Sequence, residues 1–136
     1  MHRLAAPLFL CTLAVACGED ADAPVEPTFA SLQEQVFERS CNFEACHSDR
    51  ARNGGLTLQG PEAYDNLLGV TPVVGAAASG GLKRVIAGDP DGSFLLLKLD
   101  PRLEARFGAR MPLNGAPLPE DERAAIRQWI ADGAPP

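Results

Sequence analysis

The chain has 136 residues, of which 46% are hydrophobic and 22% are charged, and its formal net charge is −6. This length and composition predict one compact domain and argue against a second full domain or wholesale disorder. The acidic balance argues against a nucleic-acid partner, because such binding depends on basic side chains that neutralise phosphates.

Residues 1–16 have the form of an export signal, with a short basic start and an apolar run that is too short to span a bilayer. The run ends in Leu13-Ala14-Val15-Ala16-Cys17-Gly18, which resembles the lipobox of bacterial lipoproteins. In that family the peptidase cuts before the cysteine, and the sulfur then carries diacylglycerol. Cys17 is therefore the predicted lipid anchor, with Cys11 a weaker choice. The alternative is an ordinary secretory signal, and either signal places the protein outside the cytoplasm.

The lipobox is followed by a predicted tether over residues 17–28. This segment is acidic, contains proline and has almost no apolar side chains, so it cannot bury surface. At about 3 Å per residue, an extended tether holds the domain roughly 30 Å from the membrane. The folded domain is then predicted over residues 29–136, anchored in the periplasm or cell envelope.

The predicted domain begins with a helix that leads into a cysteine motif. Thr28 or Ser31 can cap its start. Its apolar side chains repeat at helical spacing and are Phe29, Leu32, Val36 and Phe37. The helix therefore runs directly towards Cys41.

A turn at Asn53-Gly54-Gly55 separates this helix from the next one. Pro61 opens a short helix whose apolar side chains are Tyr64, Leu67 and Leu68. Residues 70–82 are rich in glycine and alanine and are predicted to form a flexible loop. This loop lacks the Gly-Lys-Ser/Thr ending of a phosphate-binding loop, so nucleotide binding has little support.

Two helices are predicted in the last third of the chain. A turn over residues 89–93 caps a short helix over residues 94–99. Pro119 then opens the final helix, Gly133 ends it, and its inward side chains are Ile126, Trp129 and Ile130. With no strand predicted, the fold class is all-α, a small domain of about three to five short helices with long loops.

The residues with the strongest chemical signal are 41–47, which read Cys-Asn-Phe-Glu-Ala-Cys-His. In a c-type haem site two thiols add to the porphyrin vinyl groups and the adjacent histidine binds the iron. Four residues between Cys41 and Cys46 fit a disulfide equally well, since exported cysteines pair by default. The protein would then be a lipid-anchored binding or structural protein without haem. Copper is a third possibility, because thiolate, imidazole and thioether ligands suit it.

A second candidate ligand lies far along the chain. His47 and Met111 are the only histidine and methionine after residue 2. Pro112 biases Met111 away from helical geometry, so the thioether is presented from an extended loop. A lone methionine more often fills a core than binds a metal. The sequence leaves both roles open for Met111.

The order of motifs resembles that of the secreted bacterial cytochrome c-like domains often found in lipoproteins, which are related to class I c-type cytochromes. The resemblance covers nearly all of residues 29–134. Its motifs are Cys41-Asn42-Phe43-Glu44-Ala45-Cys46-His47, Gly54-Gly55-Leu56-Thr57-Leu58, the stretch over 88–98, Met111-Pro112 and Gln128-Trp129-Ile130-Ala131-Asp132-Gly133-Ala134.

By this resemblance, Cys41 and Cys46 bind one covalent haem c, His47 is the proximal iron ligand and Met111 is the distal one. Two strong axial ligands leave the iron no open position. The resemblance therefore implies a one-electron carrier and not an enzyme, although it could relay electrons for a partner oxidoreductase. Its partners would be a redox protein and, through the lipid, a membrane.

The resemblance also implies how the domain is packed. The first and last helices cross, which predicts contact between the Phe37 side of one helix and Trp129 of the other. The haem is expected to be lined by Phe43, Leu56, Tyr64, Leu68, Leu95, Leu96 and Leu113, each of which could also be ordinary core.

Overall fold

A computed structural model describes residues 24–136. The predicted signal segment 1–16, the predicted lipid anchor Cys17 and most of the tether lie outside the described residues. Between residues 24 and 136, no helix combines the length and apolar character needed to cross a bilayer.

The described chain folds into five helices joined by long loops. Helix α1 is continuous through an α-helical segment, Phe29–Leu32, a π-helical turn, Gln33–Phe37, and a last segment, Glu38–Ser40. It is followed by α2 (Glu62–Leu67), α3 (Gly75–Ser79), α4 (Phe94–Leu99) and α5 (Glu120–Ala131). Across residues 24–136, β-type pairing is limited to isolated bridges. The prediction of a small all-α domain is therefore confirmed for this part of the chain.

Helix α1 begins at the predicted cap. The Thr28 hydroxyl accepts a hydrogen bond from the Ser31 backbone N–H at 3.3 Å, which satisfies one of the free donors of the first turn. Leu32, Val36 and Phe37 are buried on its inner side. The backbone leaves helical geometry at Cys41, and so the helix delivers the cysteine motif as predicted.

The first and last helices are in contact, as expected. The ring of Phe29 lies 5.6 Å from that of Trp129 and 5.1 Å from that of Tyr64. Phe37 belongs to the same buried cluster, but the α1 ring paired with Trp129 is that of Phe29. The Trp129 indole N–H donates to the Pro135 carbonyl at 2.7 Å, so a fully buried tryptophan keeps its polar atom satisfied.

The prediction of a loop over residues 70–82 is wrong in its middle, where Gly75–Ser79 form helix α3. Ala77 is fully buried and packs in a small cluster with Phe94 and Phe107. Alanine has the highest helix propensity, and this packing stabilises a single turn despite the glycines that flank it.

The predicted starts and ends of α4 and α5 are confirmed. Before α4, the Asp89 carboxylate accepts from the Gly92 N–H at 2.9 Å, forming the expected turn. Helix α5 starts after Pro119, and Gly133 follows its end with φ +97°, a conformation that favours glycine. Ile126, Trp129 and Ile130 of α5 are fully buried, as predicted.

Candidate functional site

An apolar cavity of about 190 Å³ lies where the loops after α1, α2 and α3 meet helix α4. Its wall is mostly aliphatic and includes Leu56, Leu58, Leu67, Val73, Val74, Leu95 and Leu99. Three of the predicted site residues, Cys41, His47 and Met111, also line it. Cys46 is half-buried and lies outside this wall. The fold thus brings the cysteine motif together with a methionine that lies 64 residues after His47.

The imidazole of His47 is oriented by the backbone. Its Nδ1 lies 3.4 Å from the Leu56 carbonyl oxygen, and because that oxygen only accepts, Nδ1 carries the hydrogen. Burial lowers the pKa of His47 below its ordinary value; hydrogen bonds to the backbone of Leu56 and Asn53 oppose this shift, and the positive charges of Arg84 and Lys98 reinforce it. The ring is therefore neutral at pH 7, and its Nε2 keeps a free lone pair for a metal or a proton.

The loop over residues 41–47 is held in a compact form by hydrogen bonds. The Cys46 N–H donates to the Phe43 carbonyl at 2.8 Å, and the His47 N–H donates to that of Cys41 at 3.1 Å. The Asn53 side-chain amide donates to the carbonyls of Ala45 and Cys46 at 2.6 and 3.0 Å. Both thiols of this loop, Cys41 and Cys46, are free.

The thiol of Cys41 lies in surroundings that disfavour its charged form. Burial raises the pKa of Cys41 to about 12, with further contributions from the nearby Glu122 carboxylate and Cys46. Burial, and then Asp121, also raise the pKa of Glu122, whose Oε2 is buried and finds no hydrogen-bond partner within residues 24–136. At neutral pH Cys41 is therefore a thiol and not a thiolate.

This pKa predicts slow alkylation of Cys41 in the protein with free thiols. Because the thiolate is the nucleophile, the rate of reaction with iodoacetamide is expected to rise about tenfold per pH unit from pH 7 to 9. E122Q removes one negative charge, lowers the pKa of Cys41 and is expected to speed the reaction. Peptide mass mapping measures Cys41 separately from Cys46.

The matched control for E122Q is E120Q, on the same helix, because Glu120 is exposed and does not influence the pKa of Cys41. Its Cys41 rate is expected to equal that of the wild type. An alkylation rate at pH 7 as high as that of an unfolded cysteine peptide would contradict the environment described for Cys41.

Met111 lies in a bend outside the helices, as the following proline predicts. Its backbone N–H donates to the carbonyl of Lys98, the penultimate residue of α4, at 2.8 Å. Its side chain is half-buried at the cavity, where the thioether sulfur is a soft potential ligand.

Two cations, Arg84 and Lys98, complete the cavity wall, and neither aspartate nor glutamate lines it. The Arg84 guanidinium is buried and donates to the carbonyls of Asn66 and Gly54 at 2.8 and 2.9 Å. The Lys98 ammonium donates to loop carbonyls between α4 and α5. The cavity therefore combines apolar walls with positive charge, in a chain whose net charge is negative.

Two of the residues expected to line a haem lie at the cavity, and the other five do not. Leu56 and Leu95 line the cavity. Tyr64, Leu68 and Leu96 pack on the main core without lining the cavity. Phe43 and Leu113 also lie outside its wall, and each is 57% exposed. Tyr64 is turned away because its hydroxyl donates to the Ala134 carbonyl at 2.9 Å, towards the end of α5.

Arg84 and Lys98 were not among the predicted site residues. Lys98 follows Leu95 by three positions in a helix, a spacing that places both on one face and could have identified it. Arg84 lies in an irregular segment between α3 and α4, where no periodicity indicates which way a side chain points.

No group of three or more histidine, cysteine, aspartate or glutamate side chains converges on a metal-sized site within residues 24–136. The copper alternative, with Cys41, Cys46, His47 and Met111 as ligands, therefore gains no support, because its two cysteines and histidine do not form such a group. Comparisons of the chain with protein-family models, with curated proteins and with solved structures find no match.

Proposed function

We propose that the protein is an extracytoplasmic one-electron carrier, a c-type cytochrome anchored to a membrane by lipid on Cys17. One covalent haem c would be bonded to Cys41 and Cys46, with His47 and Met111 as axial ligands. The observation that carries the proposal is that the only histidine and methionine after residue 2 line one apolar cavity, together with a cysteine of the motif.

The chemistry of the cavity suits this group. Haem c is a flat, largely apolar macrocycle with two carboxylates, and the cavity offers aliphatic walls with Arg84 and Lys98 as its charged members. Imidazole and thioether are the two axial ligands found in electron-carrying cytochromes c. Free thiols at Cys41 and Cys46 are the form that can add to vinyl groups.

Each ligand would be prepared by its own surroundings. The Leu56 carbonyl fixes the tautomer of His47 and so leaves Nε2 available. Leu95 and Leu99 give the cavity apolar walls, and such surroundings favour the less charged state of a metal centre. A bound haem c supplies a one-electron couple, and with both axial positions filled it offers a substrate no open site.

With a net charge of −6, the protein would exchange electrons with a neutral or basic redox protein. It would be a carrier and not an enzyme, or an electron relay for a partner oxidoreductase.

The test is expression together with the c-type cytochrome maturation machinery. The purified protein is expected to show the visible bands of haem c and an intact mass greater by one haem. The double variant C41A/C46A, made in the same host, is expected to lose the covalent haem in both measurements. Colourless, iron-free wild-type protein whose mass is lower by the two hydrogens lost on disulfide formation would overturn the proposal.

A further inference from the structure

We propose that Lys98 is a positioning residue that holds residues 107–111, the Met111 loop, so that Met111 faces the cavity. The inference rests on the proposed function, because it assigns Lys98 a part in keeping Met111 available as a ligand. It is carried by the hydrogen bonds that this one residue makes along the loop.

Lys98 bonds to the Met111 loop through both its side chain and its backbone. The ammonium donates to the carbonyl of Phe107 at 3.3 Å and to that of Ala109. The Lys98 carbonyl accepts from the Met111 N–H at 2.8 Å. The bonds fall on residues 107, 109 and 111, so alternate residues of the loop are tied to the end of α4.

The Lys98 ammonium lies beside Gly108, the residue of the Met111 loop that has no side chain. Gly108 has φ +79°, and a Cβ atom there would lie 3.8 Å from the Lys98 nitrogen. Before this glycine, Phe107 is buried against Phe94, with ring centroids 5.7 Å apart. Ala109 is exposed. The ammonium therefore links Phe107, which is fixed by packing, to Ala109, which is exposed and leads to Met111.

The charge of Lys98 is not used in an ion pair. Salt bridges within residues 24–136 involve arginines only and leave Lys98 out. Arg110, the basic residue next to Met111, donates instead to the carbonyls of Met111 and Gly115, on the far side of the methionine. Lys98 is thus the cation that ties the residues before Met111 to the cavity wall.

The experiment compares K98M with wild type, both loaded with haem by the maturation machinery. In K98M, hydrogen exchange of residues 107–111 is expected to be at least tenfold faster. The charge-transfer absorption that marks methionine bound to ferric haem should weaken, and imidazole should displace Met111 at a concentration at least tenfold lower. K98R restores a donor and is expected to recover both the loop protection and the methionine ligation of the wild type.

The matched control is K83M, which changes the only other lysine; its ammonium donates to the Thr71 hydroxyl at 2.8 Å, and neither residue lines the cavity. K83M is expected to keep the loop protection and methionine ligation of the wild type. Should K98M fail to fold, K98L, which also lacks a hydrogen-bond donor but is shorter, replaces it in the same comparison.

The outcomes separate the inference from the proposed function. Faster exchange together with weaker methionine ligation supports the positioning role. Unchanged ligation in K98M, with or without faster exchange, overturns it while the cytochrome proposal stands. Wild-type protein without haem overturns the cytochrome proposal, and hydrogen exchange of the loop then decides by itself whether Lys98 holds it.

Discussion

Replacing Met111 with histidine is expected to lower the reduction potential of the haem-loaded protein by on the order of 0.1 V, part of the roughly 0.8 V range that axial ligands span. A thioether favours the reduced metal more than a second imidazole does. Because Met111 lines the cavity together with His47, a histidine at position 111 has its nitrogen at the same wall. Spectroelectrochemical titration measures the potential.

The matched control for M111H is L113H, which places the same new side chain two positions further on. Leu113 is 57% exposed and lies outside the cavity wall. L113H is therefore expected to keep the wild-type potential and visible spectrum. If M111H also keeps both, Met111 is not the distal ligand.

Replacing Trp129 with alanine is expected to lower the free energy of unfolding by about 3–5 kcal/mol. Trp129 is fully buried and joins α5 to α1 through Phe29. Its removal leaves a cavity in the main core and also leaves the Pro135 carbonyl without its indole donor. Urea denaturation followed by far-UV circular dichroism measures the loss.

Gln128 provides the comparison on the same helix. It is exposed, and its side-chain amide donates only to the Asp132 carboxylate, at 2.8 Å. Q128A is expected to stay within about 0.5 kcal/mol of the wild type, as surface substitutions usually do. Equal unfolding midpoints for W129A and Q128A would mean that the contact between α1 and α5 contributes little to stability.

The helices that the sequence predicts correctly are those with chemical signals at their ends. Thr28, Pro61, Pro119 and Gly133 each act through backbone geometry or a local hydrogen bond, so their effect does not depend on the rest of the fold. Helix α3 has no such signal. It is stabilised by Ala77 packing against residues far along the chain, which local propensity cannot reveal.

The candidate site divides in the same way. Cys41, His47 and Met111 could be identified because their chemistry or their scarcity marks them. The residues that surround them could not be identified with the same success, because apolar type alone does not tell cavity wall from core. Leu95 and Leu96 both pack against the main core, but only Leu95 also lines the cavity, a difference set by the rotation of α4.

The places of the predicted ligands along the chain have a consequence for how variants are judged. Residues 41–47 are consecutive, so the proposed haem, the pigment of such a protein, could be bonded to them before the polypeptide has acquired its tertiary structure. Met111 reaches the same cavity only after α4 and the segment beyond it have docked. If haem c is bound as proposed, a variant could therefore carry the pigment without being natively folded, and sulfur coordination by Met111 would be the better measure of a completed fold.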